Sequence, residues 1–135
     1  MENTPFALDA YLERVHYAGS IQATEDRLEA LHRAQVYTIP FENFDILLGR
    51  GVALDPVALC DKLVHRARGG YCFELNGLFL LALQAFGFDA QALLARVHLS
   101  GTSTGRGHQL ALVTIQGREW LADVDRKSTR LNSSH

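Results

Sequence analysis

The sequence predicts an α+β fold in which an N-terminal helical bundle precedes the start of an antiparallel β-barrel or meander. Apolar residues recur at helical spacing up to Gly87, and from there they alternate with a period of two. Capping residues and prolines divide the first part, whereas short glycine-containing turns divide the second. We therefore predict a helical domain over residues 1–87 and a partial antiparallel β domain over residues 88–124.

The first two predicted helices lie before Pro40. Tyr11 marks the apolar face of the first helix, which we expect to end near Gly19. Thr24 is the expected N-cap of the second helix, because its hydroxyl can accept a hydrogen bond from the first turn. This helix is expected to stop at Ile39, since a residue that precedes a proline is pushed out of the α region.

The third and fourth predicted helices carry the two cysteines. Asp55-Pro56 supplies a capping residue followed by proline at the first helical position, so the third helix begins there. The fourth begins at Cys72 and ends near Gly87, which suits a left-handed C-terminal cap. Residues 41–51 are expected to form a compact connection without a helix. The apolar stripe predicted for the third helix consists of Val57, Cys60, Leu63 and Val64.

Three strands are predicted after Gly87, over residues 88–99, 108–115 and 119–124. Residues 100–107 lie between the first two and are glycine-rich. They lack the Lys-Ser/Thr ending of a phosphate-binding P-loop, so a plain loop is the favoured interpretation.

The composition is that of an ordinary globular protein of 135 residues, 47% hydrophobic and 21% charged. A net charge of −2 favours neither nucleic acid nor a membrane surface as a partner. The sequence contains no apolar run long enough to span a bilayer, and its N-terminus lacks the pattern of a signal peptide. A cytoplasmic location with reduced thiols is therefore predicted. The cysteine spacing does not match a zinc motif, and no metal is expected.

Cys72 is the candidate nucleophile. In the first turn of a helix, unpaired N–H groups and the helix dipole stabilise a thiolate, which is the reactive form of cysteine. Gly69 and Gly70 precede it and are expected to adopt positive φ angles, which would let a substrate approach the backbone closely. The alternative is a buried structural cysteine after a glycine turn, and this is the expectation for Cys60.

His108 and Asp123 are the candidate base and orienting carboxylate. If Gln116 and Gly117 form a two-residue hairpin turn, the register makes this pair diagonal neighbours on one face of the sheet. A three-residue turn without a bulge would put them on opposite faces, so the prediction depends on register. The carboxylate would then fix the imidazole tautomer. On these residues alone, an exposed polar pair is the more common arrangement, so both interpretations stay open. The histidines at positions 16, 32, 65 and 98 have weaker claims.

Four segments resemble the arylamine N-acetyltransferase family in order and spacing. They are Ile39-Pro40-Phe41-Glu42-Asn43-Phe44-Asp45, Arg68-Gly69-Gly70-Tyr71-Cys72-Phe73-Glu74-Leu75-Asn76, Gly107-His108 and Leu121-Ala122-Asp123-Val124. The cysteine motif is highly specific, and its combination with the upstream Pro-Phe-Glu-Asn segment is more so. The resemblance extends over residues 6–124.

The resemblance implies an acetyltransferase with acetyl-coenzyme A as co-substrate. Cys72 would accept the acetyl group, with His108 as base and Asp123 as the orienting carboxylate. The group would then pass to an arylamine, a hydrazine or an N-hydroxyarylamine.

Further residues of the motifs have expected roles around the thiol. Phe41 and Tyr71 are the candidate substrate-binding residues, whereas Phe44 is expected to pack in the core. Candidate contacts with the coenzyme are Gly105 and Gly107. A pair between Arg68 and Glu74 is expected to hold the cysteine loop.

The sequence departs from the family after Val124. Family members are roughly twice as long and complete the coenzyme cleft with a β-barrel and an α/β lid, of which the lid is expected to be absent here. They continue with Gly-Phe-Gly, whereas residues 125–135 are polar and resemble a translated sequencing adapter. We therefore expect a non-native, disordered tail over 125–135 and a weak or inactive enzyme.

Two other function classes share these residues. A papain- or transglutaminase-like cysteine hydrolase uses the same order of cysteine, histidine and aspartate. A non-catalytic remnant would keep the three residues without a competent cleft. Neither the preferred amine nor the oligomeric state follows from the sequence.

Overall fold

A computed structural model describes the backbone of residues 6–51, 53–99, 102–124 and 130–134, and the side chains of 6–51, 53–93 and 109–124. Within these residues, five α-helices precede four strands. The helices are α1 (Leu8–Arg14), α2 (Glu25–Thr38), α3 (Phe44–Leu47), α4 (Pro56–Leu59), which a π-helical turn continues (Cys60–His65), and α5 (Cys72–Phe86). The strands are β1 (Asp89–Leu99), β2 (Thr102–Ile115), β3 (Arg118–Asp123) and β4 (Arg130–Ser134).

The predicted caps are confirmed at three helix ends. The Thr24 hydroxyl accepts a hydrogen bond from the N–H of Arg27 at 3.3 Å, and α2 begins directly after it. The Asp55 carboxylate accepts one from the N–H of Ala58 at 3.2 Å, with proline at the first position of α4. Gly87 ends α5 with φ of 113°, a conformation that costs a glycine little. The first helix ends earlier than Gly19, at Arg14.

The connection between α2 and α4 contains a short helix that the sequence did not predict. In α3, Asp45 forms ion pairs with groups in the interior, and the neighbouring Phe44 is 60% exposed. The prediction of Phe44 in the core is therefore wrong. Val57 is also at the surface, 65% exposed. The π-helical turn after α4 changes the period on which the predicted stripe rested, and Lys62 is buried there beside Leu63.

The strands form one antiparallel sheet in the order β1-β2-β3-β4. Gln116 and Gly117 form the predicted two-residue turn with φ of 51° and 81°, the left-handed conformations that tight hairpins require. β2 and β3 pair in the predicted register, which runs from Ile115 opposite Arg118 to Ala111 opposite Ala122.

The predicted loop over residues 100–107 is wrong in most of its length, because β2 begins at Thr102. A register shift between Arg96 and His98 of β1 lets the glycine-rich stretch stay in the sheet, with Gly107 opposite Arg96. Glycines are depleted in strands but are accommodated at such irregular positions. Residues 100 and 101 lie outside the described residues.

The prediction of disorder after Val124 is wrong for Arg130–Ser134. These residues form β4, which pairs antiparallel with β3 from Glu119 opposite Ser134 to Asp123 opposite Arg130. Pairing along a sheet edge uses backbone groups, so a polar sequence without alternation can still extend the sheet. Residues 125–129 and 135 lie outside the described residues.

Helices and sheet share one hydrophobic core. Leu28 and Leu31 of α2, Phe79 of α5, and Ala111 and Val113 of β2 are all fully buried in it. The sheet thus packs on α5, so the change of period at Gly87 marks a change of secondary structure within a continuous core. Among the described residues, no helix combines the length and hydrophobicity needed to cross a membrane.

Candidate active site

Cys72 is the first residue of α5, as predicted, and its side chain is half-buried. The N–H of Tyr71 donates to the Glu74 carboxylate at 3.0 Å, which caps the helix start. A carboxylate at this position also interacts favourably with the positive end of the helix dipole. The thiol therefore lies in the first turn of a helix whose start is held by its own third residue.

Gly69 and Gly70 are needed for close packing rather than for a left-handed backbone. Neither has a positive φ angle, which corrects the prediction. A Cβ at Gly69 would lie 2.1 Å from the carbonyl oxygen of Pro40, and one at Gly70 would lie 2.8 Å from Cβ of Glu74. The N–H of Gly70 donates to this Pro40 carbonyl at 3.1 Å. The glycines thus let two backbone segments touch directly before the cysteine.

Arg68 pairs with Glu42 and Asp45, not with Glu74 as predicted. Its Nη2 lies 2.6 Å from Oε1 of Glu42 and 3.4 Å from Oδ1 of Asp45. Glu42 also accepts a hydrogen bond from the N–H of Gly69 at 3.1 Å. The arginine is therefore satisfied by the segment after Pro40, and it fixes that segment against the cysteine loop.

Lys62 is the actual partner of Glu74, and the sequence did not indicate it. Its Nζ lies 2.8 Å from Oε2 of Glu74 and 2.8 Å from Oδ2 of Asp45. Both Lys62 and Glu74 are buried, with 7% and 3% exposure. In the sequence, Lys62 directly precedes two residues of the predicted apolar stripe, Leu63 and Val64, and this position does not by itself indicate a partner. Asp45 joins the two cations, so a continuous ion-pair network runs from Arg68 to the cap of α5.

The network shifts the pKa values of its members. Hydrogen bonding to Lys62 is the main cause that lowers the pKa of the Asp45 carboxyl. For Lys62, burial alone would lower the pKa, but the hydrogen bonds to Asp45 and Glu74 outweigh it and raise the pKa. Hydrogen bonding to Glu42 likewise raises the pKa of Arg68. Each ion pair is thus stabilised in its charged form.

Asn76 connects α5 to the end of β3. It is 1% exposed, and its Nδ2 donates to Oδ1 of Asp123 at 3.1 Å and to the carbonyl of Cys72 at 3.3 Å. Its Oδ1 accepts a hydrogen bond from the N–H of Val124 at 3.0 Å. Sequence analysis did not assign it a role, although its spacing of four residues from Cys72 places it on the same helical face. Asp123 is thereby held beside α5 by a residue that lies one helical turn after Cys72.

His32 contacts the same residue from α2. Its Nε2 lies 2.7 Å from the carbonyl oxygen of Asp123, and its ring meets Phe79 edge-on at 5.9 Å between centroids. A carbonyl oxygen can only accept, so Nε2 carries the proton. His32 is buried and was placed among the weaker histidines. It supports the backbone at Asp123 rather than acting as a base.

His108 lies in β2, where its backbone pairs with Ala95. In the observed β2–β3 register, position 108 is on the same face of the sheet as Asp123, which is the relation predicted from the two-residue turn. The side chain of His108 lies outside the described residues. Gly105 and Gly107 lie in the same strand, rather than in the loop that the sequence predicted for them.

Phe41 and Tyr71 both lie next to Gly70, Phe41 through a backbone bridge and Tyr71 as the following residue and N-cap of α5. The backbone of Phe41 bridges Gly70, and its ring is partly buried against the core. Burial, followed by the charges of Cys72 and Glu74, raises the pKa of Tyr71. Both aromatic residues therefore adjoin the backbone that directly precedes Cys72.

Cys60 lies in the π-helical turn and packs partly against the core. Burial is the main cause that raises the pKa of its thiol. This agrees with the prediction of an unreactive cysteine. Among the described residues, no group of three or more histidine, cysteine or acidic side chains forms a metal site.

The sequence matches a family model described as N-acetyltransferase over residues 24–128, past the predicted boundary at Val124. The chain belongs to the arylamine N-acetyltransferase family. It is 47% identical over 119 residues to the "Arylamine N-acetyltransferase / N-hydroxyarylamine O-acetyltransferase" of Salmonella typhimurium. The aligned residues make up 87% of this chain and 42% of that protein. The chain thus spans less than half the length of this curated relative.

Solved arylamine N-acetyltransferase structures share the fold. The crystal structure of the Nocardia farcinica enzyme superposes with a TM-score of 0.87 at 40% identity, covering 96% of this chain and 47% of that one. The Mycobacterium marinum enzyme in complex with CoA gives a TM-score of 0.78 at 38% identity, over 87% of this chain and 46% of that one. The α+β arrangement of helices followed by an antiparallel sheet is therefore that of this family.

Proposed function

We propose that this chain is the part of an arylamine N-acetyltransferase that carries the reacting groups. Cys72 is the nucleophile, His108 the base and Asp123 the carboxylate that orients the base, in a papain-like arrangement. The observation that carries the proposal is the bond from Asn76 to Asp123, which brings the end of β3 to the first turn of α5. Family membership supports the same three roles, because these residues stand in the family's motifs.

The first half-reaction transfers an acetyl group from acetyl-coenzyme A to Cys72. His108 takes the thiol proton, and the thiolate attacks the carbonyl carbon of the thioester. A bond forms between Sγ of Cys72 and the acetyl carbon, while the bond between that carbon and the coenzyme sulfur breaks. The coenzyme leaves as a thiol with the proton from His108. Donor and product are both thioesters, so this step is close to balanced in energy.

In the second half-reaction an arylamine, a hydrazine or an N-hydroxyarylamine attacks acetyl-Cys72. A bond forms between the attacking nitrogen or oxygen and the acetyl carbon, and the bond from that carbon to Sγ of Cys72 breaks. His108 accepts the proton of the attacking group and returns it to the leaving sulfur, which restores the thiol. Phe41 and Tyr71 would supply an aromatic surface for a flat acceptor, since both adjoin the backbone that directly precedes Cys72. Gly105 and Gly107 would let the coenzyme approach the backbone of β2. The sheet would form the start of a β-barrel, and a lid would complete the coenzyme cleft.

The test is acylation of the 135-residue chain. Incubation with acetyl-coenzyme A should give an acetyl thioester on the peptide that contains Cys72, detected by mass spectrometry. Cys60→Ala should retain the adduct and Cys72→Ala should lose it. p-Nitrophenyl acetate serves as a second donor, because it needs no coenzyme cleft. Acylation by neither donor would support a non-catalytic remnant, and cleavage of an amide without coenzyme would support the hydrolase alternative.

Turnover should be much slower than acylation of the thiol. The chain spans 42% of the Salmonella relative, so much of the family's cleft lies outside the matched part. Positioning of reactants can contribute about 7–11 kcal/mol to lowering a barrier. We expect steady-state transfer to an arylamine by this chain to be far below that of the full-length Salmonella enzyme under identical conditions. Comparable rates would contradict this expectation without affecting the roles of the three residues.

A further inference from the structure

We propose that Asn76 is a positioning residue that holds Asp123 in register with the nucleophile's helix. The inference rests on the proposed function, since it concerns the carboxylate of that site. Asn76 contacts neither acceptor nor coenzyme in this proposal, and it acts through Asp123.

The orientation of the Asn76 amide follows from its partners. The N–H of Val124 can only donate, so the atom that faces it at 3.0 Å is the carbonyl oxygen. Nδ2 therefore faces the carbonyl of Cys72 at 3.3 Å and Oδ1 of Asp123 at 3.1 Å, both of which can only accept when Asp123 is ionised. One amide thus uses both of its N–H groups and its oxygen. One bond stays within α5 at Cys72, and the other two reach the adjacent residues Asp123 and Val124 at the end of β3.

This arrangement controls distance and rotation together. The bond to Cys72 fixes the Asn76 side chain on α5, and the bond to Val124 ties α5 to the end of β3. The bond to Oδ1 fixes one carboxylate oxygen of Asp123. With one oxygen occupied, rotation of the carboxylate is restricted, and its second oxygen keeps a defined direction. His32 adds a bond to the carbonyl of Asp123 at 2.7 Å, so the same residue is also held through its backbone.

The neutrality of Asn76 suits this role. A cation in place of Asn76 would partly neutralise the negative charge of Asp123. In the proposed mechanism, that charge stabilises the protonated base. An amide donor restricts the carboxylate while leaving its charge in place. His32 donates to the carbonyl of Asp123. Among the described side chains near the start of α5, the titratable groups besides Cys72 and Asp123 include Tyr71 and the Glu74–Lys62 pair.

Asn76→Asp is the variant that separates positioning from folding. Its volume is nearly unchanged, and a carboxylate oxygen can still accept from the N–H of Val124. The donors to Cys72 and Asp123 are lost, and a second negative charge faces Asp123. The matched control is Gln35→Glu, the same amide-to-carboxylate change at a residue that is fully buried and donates to the carbonyl of Leu75 at 2.9 Å. Both variants should lower the urea midpoint of unfolding.

The discriminating readout is the pH dependence of Cys72 alkylation by iodoacetamide in the 135-residue chain. In the unsubstituted chain and in Gln35→Glu, we expect a midpoint below the ordinary thiol value of about 8.5. In Asn76→Asp, we expect the midpoint to move toward that value and the rate at neutral pH to fall about tenfold, corresponding to one pKa unit. An unchanged midpoint in Asn76→Asp beside a lowered one in the unsubstituted chain would overturn the inference and leave the proposed function intact.

If Cys72 of the unsubstituted chain is alkylated with a midpoint near the ordinary thiol value, the proposed function is contradicted. The inference about Asn76 is then contradicted as well, because it rests on that function. A measurement on the unsubstituted chain covers the case in which Asn76→Asp does not fold. The side-chain amide signals of Asn76, followed by ¹⁵N NMR, should shift at the pH at which Cys72 alkylation has its midpoint. Amide signals that stay constant through that range would overturn the inference.

Discussion

Two carboxylate-containing regions meet at the start of α5, and they are held by different chemistry. The cysteine loop is tied by cations: Arg68 bonds Glu42, and Lys62 bonds Glu74. The end of β3 is tied by a neutral amide, since the oxygen of Asp123 at 3.1 Å accepts from Asn76. In the first region, the ion pairs of the carboxylates hold the cysteine loop in its conformation. In the second, the proposed role of the carboxylate is to orient the base.

Under the proposed function, the contrast separates carboxylates that hold the structure from the one that takes part in the reaction. A buried carboxylate beside a buried ammonium is stabilised in its charged form, and the pair is costly to break. A carboxylate held by an amide is fixed in position while its charge acts on a third group. Changes in the first region should therefore mainly affect stability, and changes in the second should mainly affect the reaction.

Asp123→Asn should have the largest effect. The new amide can present its oxygen to Nδ2 of Asn76, so the fold is expected to survive. Its other end then offers a donor to the base, which favours the wrong imidazole tautomer. We expect acylation of Cys72 to slow about 10⁴-fold, the size of the loss found for the corresponding change in a serine protease triad. Stopped-flow release of p-nitrophenolate measures it, and a rate close to that of the unsubstituted chain would remove Asp123 from the mechanism.

Lys62→Met should cost the most stability. It leaves the buried carboxylate of Glu74 and the paired oxygen of Asp45 without their shared cation. Removing one partner of a buried ion pair costs about 3–5 kcal/mol. Urea unfolding followed by circular dichroism measures the loss. Arg33→Ala is the control, because its pair with Glu29 is 61% exposed on both sides and should change stability by less than about 0.5 kcal/mol; equal losses in both variants would contradict the contrast.

The two thiols should differ in reactivity by a smaller factor. Burial raises the pKa of Cys60, whereas Cys72 lies at a helix start, where thiolates are favoured. At neutral pH, iodoacetamide should label Cys72 at least about tenfold faster, since one pKa unit changes the thiolate fraction about tenfold. Peptide mapping of partly labelled protein separates the two sites. Faster labelling of Cys60 in the folded chain would contradict the assignment of the nucleophile.

The smallest expected effect is the response of the ion-pair network to pH. The pKa of Asp45 is lowered in the folded chain, so its contribution is complete above the unfolded value of about 3.9 and is lost as the pH falls through the folded pKa. The pKa of Lys62 is raised, so its contribution is complete below about 10.4 and is lost as the pH rises through the folded pKa. Urea midpoints across both ranges test this. Asp45→Asn should flatten the acid limb, and an unaltered acid limb in that variant would exclude Asp45 as its source.

Local patterns were sufficient for much of the molecule. The caps at Thr24 and Asp55 and the left-handed Gly87 each depend on a few neighbouring residues, and all three were predicted. The sequence also predicted a turn at Gln116-Gly117, but it left two-residue and three-residue geometries open. The hairpin turn also determined the β2–β3 register, because a two-residue loop leaves one way to pair the strands. The resemblance to a family pointed to Cys72 from nine consecutive residues.

Other features depend on residues far apart in the sequence, and only the tertiary structure decided them. Glu74 pairs with Lys62 rather than with Arg68 because a π-helical turn directs the lysine inward, which a regular helical period does not predict. The segment Arg130–Ser134 joins the sheet through backbone pairing, which polar side chains do not reveal. Asn76 meets Asp123 across 47 residues. The sequence determined which groups could react, whereas packing of β3 on α5 decided which partners hold them, because such contacts form only once a core has brought distant segments together.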